Sequence, residues 1–361
     1  MLLCTQFDPL ISFLTCNPLF NFVLKGGIQT IGKLNLISIK QSLHSLRWKC
    51  LFVAVTLCFS SSVFSQEDAQ KTTEAGFTVG PMVFLGDLGG HAGKGTTFIK
   101  DYNMNTTKLA IGAFYAAYPT QWLGFRFSLN YGSLEGNDAI IKPKGGDEET
   151  RLARNLDFRS KILEGTVMAE FYPTVFLEEE PDDVIARLRP YGVIGLGLFH
   201  FNPQGSYRDQ YGDVTWVDLQ PLHTEGEGFA EYPDRKNYKL TQLNIPIGVG
   251  IKYFLSDNLN LSFEIVHRKT FTDYIDDVST RYIDPSLFYK YLSPTLAPIA
   301  EAMANKSAQG YNTPGYGVNA KRGDPTQKDA YFTAQFKLAI RIGGRNETRW
   351  RNSTHCPLLR F

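Results

Sequence analysis

The side chains of this sequence best suited to chemistry fall between residues 262 and 284. Ser262, Glu264 and His267 bring a hydroxyl, a carboxylate and an imidazole close together, the set that a nucleophilic or general-base mechanism uses. On an extended strand, however, alternate residues face opposite sides. Ser262 and Glu264 share one face and His267 takes the other, so imidazole and hydroxyl are not poised to meet. Asp273, Asp276, Asp277 and Asp284 follow and offer oxygen ligands for a calcium ion. Their spacing is not that of an EF-hand loop, and a solvated or salt-bridged loop is expected instead. His91 and His223 fall in loops and His200 on either face of its strand, and no His-x-x-x-His or carboxylate-paired metal spacing accompanies them. Gly86-Asp87-Leu88-Gly89-Gly90 has the glycine content of a phosphate cradle. It lacks the Lys-Ser/Thr ending and a helical pattern after it, and reads as a turn. Carboxylate pairs for glycoside chemistry need distances that a sequence does not supply. The expectation is a protein with no catalytic residue, no cofactor and no metal.

The elements that carry these residues are strands. Leu243, Ile245, Ile247, Val249, Ile251 and Tyr253 alternate with Asn244, Pro246, Gly248, Gly250 and Lys252. After Ser256-Asp257-Asn258, Leu259, Leu261, Phe263 and Ile265 alternate with Asn260, Ser262 and Glu264, and Arg268 closes the segment. Two period-2 segments around a tight turn make a β-hairpin. The same pattern marks strands over about 76–85, 107–117, 123–131, 158–172 and 330–342; the glycine-rich 190–201 is a strand whose faces cannot be told apart. This gives eight strands. Connections of roughly 20, 25, 38 and 60 residues follow the first, third, fifth and seventh, and roughly 4, 17 and 4 follow the others, the long-short alternation of a membrane barrel with surface loops at one rim and periplasmic turns at the other. The acidic run Glu178–Asp183 reads as a solvated turn, and 287–306 as helical, shielding the mouth.

The first 65 residues stand apart. Arg47 and Lys49 precede the apolar run Cys50–Phe59 and the small residues up to Ser65, which predicts a signal peptide over 47–65, cleavage after Ser65 and a mature start at Gln66. Residues 1–46, broken by Asp8, Pro9 and Pro18, read as an extension upstream of the real start rather than as an extra anchor, and 346–361 as a C-terminal tail after a barrel spanning 66–345. Without 1–65 the chain keeps 32 basic and 35 acidic residues, a balance that argues against a nucleic-acid partner. Only Cys356 remains of the five cysteines, so neither an internal disulfide nor a cysteine-cluster zinc site can form.

Alternation leaves open which face is outside. A soluble lipocalin-like barrel would turn its apolar face inward around a ligand. Aromatics at the short-turn rim, Tyr118, Trp122, Phe171, Tyr172, Tyr191, Tyr253 and Phe254, favour lipid outside and an interfacial girdle, as do the long loops and a signal peptide without disulfides. The interior then receives Arg126, Glu164, Glu170, Lys252, Glu264, Arg268, Lys337 and Arg341. An eight-stranded barrel is only wide enough to be filled by side chains, so these are expected to form a packed ionic network rather than a pore.

Gly86-Asp87-Leu88, Arg154-Asn155-Leu156-Asp157-Phe158, the segment Arg268–Asp284 and the closing strand together resemble the PorG-type outer-membrane β-barrels of Bacteroidota, over 70–345. The Thr272–Ser279 stretch is the most specific part. The resemblance implies an eight-stranded antiparallel transmembrane barrel, outer-membrane lipid around it and, for PorG itself, membership of the type IX secretion machinery with a link to periplasmic ring proteins. The family also holds many barrels of unknown role, and the long 285–328 loop departs from a shared loop partner. Physically, Asp276 and Asp277 begin the longest loop, where a carboxylate can pair with Arg268 or cap a short helix, and Tyr274 and Tyr282 can pack the loop onto the mouth. These four are expected to act as a structural clasp.

Overall fold

The computed structural model describes residues 72–88, 106–141, 147–177, 187–256 and 258–342. The expected signal peptide, the N-terminal extension, the C-terminal tail with Cys356, and the acidic run Glu178–Asp183 lie outside these residues.

The expected strands are present: β1 (Thr72–Leu85), β2 (Lys108–Tyr118), β3 (Leu123–Asn137), β4 (Asp157–Phe171), β5 (Leu188–Arg208), β7 (Thr241–Phe254), β8 (Leu259–Thr270) and β9 (Ala330–Ile342). Each pairs antiparallel with its neighbour, β1 pairs β9 and β4 pairs β5, so the eight strands close on themselves without a free edge. Closure satisfies every ladder within the sheet, which is what a strand structure needs to stand in lipid. Among the described residues, no helix is long and apolar enough to cross a membrane.

The lateral surface is the greasy face. Phe77, Ile111, Phe125, Phe127, Val167, Leu196, Leu243, Val249, Phe336 and Ile340 are all exposed, while the residues between them are mostly buried. Apolar outside and polar inside is the inverted order of a membrane barrel. β5, which its sequence leaves unoriented, turns Tyr191, Val193, Phe199 and Phe201 inward and Ile194, Leu196 and Leu198 outward.

Two elements differ from the sequence reading. β5 runs past the barrel and pairs a short ninth strand, β6 (Val214–Asp218), inside what reads as a plain loop. The predicted helical stretch 287–306 is two short helices, Ser286–Tyr291 and Ala297–Ala304, because Pro294 sits in the interval between them. An upstream helix spans Asp147–Arg154. The described parts of the long connections gather at one end over a core formed by Phe84, Phe158, Ile162, Phe199, Phe201 and Tyr331 from the strands and Leu222, Phe229, Ile275, Ile283, Phe288 and Met303 from the loops. We call this the cap.

Candidate functional site

Three tiers of charge fill the barrel below the cap. Nearest the short turns, Lys252 Nζ donates to Glu74 Oε2 at 2.9 Å and to the Tyr118 hydroxyl at 2.8 Å. In the middle, Arg126 donates both Nη atoms to Glu264 at 2.9 Å and lies 2.8 Å from Glu170, and Lys337 reaches both carboxylates at 3.3 Å. Above them, Arg268 grips Glu164 at 3.2 Å through Nε and Nη2, and Asn244, Tyr331 and Asn130 donate to the same carboxylate. All of these charged side chains are buried. Forked guanidinium contacts and saturated carboxylate oxygens are the condition under which buried ions hold one geometry. Arg341 stands apart from the packed tiers, at the mouth, with its Nε 4.0 Å from Glu74. Glu74 belongs to the network too; β1 starts at Thr72, ahead of the expected start near 76, and so carries it inside.

The girdle needs correction. Trp122, Phe171 and Tyr253 are exposed on the outer surface, and Trp122 packs edge-on against Phe171 at 6.0 Å. Tyr118, Tyr172 and Tyr191 point into the barrel instead: the Tyr118 and Tyr172 hydroxyls donate to Glu170 at 2.9 and 2.6 Å, and that of Tyr191 donates to Glu264 at 2.8 Å. Phe254 is half-buried at the mouth, under Arg189 and Arg341. The cause lies on adjacent strands. Gly124 and Gly250 face inward, and a Cβ there would sit 2.4 Å from the Tyr118 ring and 2.5 Å from that of Tyr191, so the missing side chains make the space the rings fill. An inward glycine beside a rim tyrosine is the sequence signal for this arrangement.

In the cap, Arg322 is the staple. It donates to Glu225 Oε1 at 2.9 Å, to the Asp277 carbonyl at 2.6 Å and to the Ala304 carbonyl at 3.1 Å, tying three chain segments together. Asp277, at a left-handed φ of 63°, also accepts from Thr224 and from Tyr238 at 2.6 Å. Asp276 accepts from the backbone N–H groups of Leu88 and Val278. Neither aspartate pairs with Arg268, correcting that expectation: Arg268 is committed to Glu164 lower in the barrel. Tyr274 stacks on Tyr238 at 4.7 Å, Tyr282 is buried edge-on to Tyr311, and Asp284 lies outside, accepting from Ser286. Arg154 clamps Asp138 through Nε at 2.7 Å and donates to the carbonyl of Asp87. Gly86-Asp87-Leu88, the Arg154 segment and the Asp276 loop therefore meet at one place. Glu225, Glu227, Asp329 and Arg322 escape a sequence reading because they lie in stretches without periodicity.

Burial pushes the carboxyl groups of the cap up: Asp273 to about 7, Glu227 to about 8 with help from Asp277 and Glu225, and Asp277 only to about 6, because Arg322 and two hydroxyl donors oppose the rise. Asp276 and Asp329 rise as well, through burial and then through neighbouring carboxylates. Glu227 Oε1 and Asp273 Oδ1 have no hydrogen-bond partner, which suits protonated acids. Among the described residues, no group of three or more His, Cys, Asp or Glu side chains is arranged to hold a metal ion. Ser262 is buried inside the barrel and His267 lies on the outward face, so they do not meet.

A closed, lipid-faced, eight-stranded antiparallel barrel with a filled interior defines the class. The family model for the outer membrane protein beta-barrel domain matches residues 53–289, about two thirds of the chain, and the chain belongs to that family. The closing strand β9 lies beyond the matched region. Solved structures similar to it include Ail, the attachment invasion locus protein of Yersinia pestis, in complex with the heparin analogue sucrose octasulfate (7% identity, TM-score 0.30, covering 76% of this chain and 98% of that one). OprG of Pseudomonas aeruginosa is similar at 12% identity and TM-score 0.29, covering 76% and 97%, and a major outer membrane protein of Thermus thermophilus at 10% and 0.34, covering 75% and 99%. No curated protein matches.

Proposed function

We propose that this chain is a noncatalytic outer-membrane barrel that anchors or organises a protein-secretion complex of the type IX kind, reached from the periplasmic side. The observation that carries the reading is the convergence of three of the four stretches resembling PorG-type barrels of Bacteroidota on one buried junction of the cap, where Arg154, Asp87 and Asp276 lock the loops. An interior filled by paired charges supports a scaffold over a conduit. The separation of Ser262 from His267 speaks against a lipid-modifying enzyme. Signal-peptide removal after Ser65 belongs to the same reading, and the intact mass of the purified protein tests it.

A second reading, an independent structural or surface-binding barrel, is favoured by the folded cap, which gives the outer rim a fixed shape. Crosslinking in native membranes separates the two. Recovery of periplasmic secretion-ring proteins on the barrel supports the anchor, and a barrel crosslinked to none of them while secretion proceeds normally removes it.

A further inference from the structure

The eight barrel strands leave no edge open, but the ninth strand does. β5 pairs β4 as far as Gln204 on one side and β7 as far as His200 on the other, and β6 takes up the β7 side from Gln204 to Arg208. β6 is the last strand in the sheet order, and among the described residues no further strand pairs with it. The phase of its ladder is fixed at both ends: Leu219 N–H donates to the Pro203 carbonyl at 2.9 Å and Asp209 N–H to the Asp213 carbonyl at 3.0 Å. The hydrogen-bonded pairs between them are therefore Gly205 with Val217 and Tyr207 with Thr215. Val214, Trp216 and Asp218 turn their N–H and C=O groups away from β5, and among the described residues none meets those groups with a hydrogen bond.

The two sides of the hairpin are treated differently. On the β4 side Lys306 donates to the Ser206 carbonyl at 2.6 Å and closes the edge. β6, Val-Thr-Trp-Val-Asp, carries no lysine, proline or bulge, the devices that keep an edge strand from pairing. The strand is also held in place. Val217 and Tyr207 pack on the cap core from within, and the Arg159 guanidinium lies over the Trp216 ring at 4.1 Å from without. A strand fixed before its partner arrives lowers the ordering cost of binding.

We infer that the outer edge of β6 is a docking site for an extended peptide segment of a partner at the cell surface, which adds to the sheet as a further strand antiparallel to β6. Donors and acceptors repeated at every second residue along an edge are matched by the main chain of another strand. The visitor's side chains fall beside Trp216 on one side and beside Thr215 and Val217 on the other, cross-strand positions that β-branched residues fill well. The site lies at the cap end, away from the short turns, so it goes beyond the anchoring function proposed above and stands without it.

The test uses the intact barrel folded in a nonionic detergent and the fluorescein-labelled peptide Lys-Thr-Val-Thr-Val-Thr-Lys, its lysines there for solubility, read by anisotropy against empty micelles. Saturable binding is expected. Methylation of alternate peptide amides leaves one peptide edge free and should preserve binding, while methylation of every amide should weaken it about tenfold or more although it makes the peptide more apolar. Trp216→Pro removes a donor from the open edge and none from the ladder to β5, and should weaken binding to a similar extent, whereas Trp216→Val should keep it. Val214→Pro, at an exposed position, serves if Trp216→Pro fails to show the heat-dependent gel migration of a folded barrel. Equal binding of the fully methylated peptide, undiminished binding by a folded proline variant, or loss of binding in a folded Trp216→Val overturns the inference. A dimer of the barrel alone in light scattering, split by the proline variant, gives the edge to a second copy of the chain and overturns it too.

Discussion

Inside the barrel one cation stands for each carboxylate, whereas the cap buries Asp138, Glu225, Glu227, Asp273, Asp276, Asp277 and Asp329 against three guanidinium groups, those of Arg154, Arg235 and Arg322. The difference follows from what surrounds each region. The interior tiers are walled by strands and then by lipid, where no proton source lies close and an unpaired charge has no inexpensive escape. The cap stands in water beyond the bilayer, so a carboxyl group there can be buried as the neutral acid. Pairing fixes the barrel; protonation completes the cap.

The most damaging way to break that contrast is Arg126→Leu, which strands Glu170 and Glu264 with Lys337 as their remaining direct cation. Loss of one partner of a buried pair costs about 3–5 kcal/mol. The variant is expected to lose heat-resistant migration at a markedly lower temperature than the parent, and unchanged migration would show that the tiers are not what holds the barrel shut. Arg322→Met removes the staple of the cap. Its effect is expected to be smaller, about 1.5–3 kcal/mol for its charged hydrogen bonds, because Asp277 can take up a proton. Proteolysis should open residues 271–329 while the barrel migrates as before. A simultaneous collapse of both would mean that the two regions are one cooperative unit.

The barrel was legible from its sequence because a strand in lipid writes its two environments into alternate residues. Phe125, Phe127 and Leu129 against Arg126, Ser128 and Asn130 leave one assignment of faces once lipid is placed outside. The same rule failed at the rim. There Tyr118, Tyr172 and Tyr191 are aromatic enough to suit an interface and polar enough to donate to a carboxylate, and the deciding evidence, Gly124 and Gly250, sits on neighbouring strands rather than beside them. The cap was hardly legible at all. Its ties join Asp87, Arg154, Glu225, Asp277 and Arg322 across long stretches of chain, and Gly226 and Gly228, at φ of 77° and 81°, turn a Thr-Glu-Gly-Glu-Gly segment inward that composition alone would leave in water. The Arg268–Asp284 segment named the right loop and the wrong partners.

Proton linkage distinguishes the regions without any substitution. Glu227, Asp273 and Asp277 sit at about 8, 7 and 6 in the folded cap, above ordinary values of 4.5, 3.8 and 3.8. A raised carboxyl pKa means that the folded state holds its proton longer than the unfolded state, so the stabilisation is complete below about pH 4 and is lost as pH climbs through the folded values. Hydrogen exchange in residues 271–329, corrected for its intrinsic pH dependence, should show protection falling between about pH 5 and pH 9. Protection that rises over the same interval would mean that the cap's carboxyl groups are held ionised.

Glu227→Gln sharpens this last point with the smallest expected change. Glu227 is buried, one carboxyl oxygen lacks a partner, and Asp277 and Glu225 both oppose its ionisation. Glutamine keeps the shape of the neutral acid and removes only the proton that can leave. At pH 5 the variant and parent should be protected alike, since both are uncharged at this position. At pH 9 the variant should be the better protected by a few-fold in exchange rate, with the remaining slope left to Asp273 and Asp277. Equal protection at both pH values would assign the pH response to those two aspartates alone, and poorer protection at pH 9 would require Glu227 to be an ion that the cap needs.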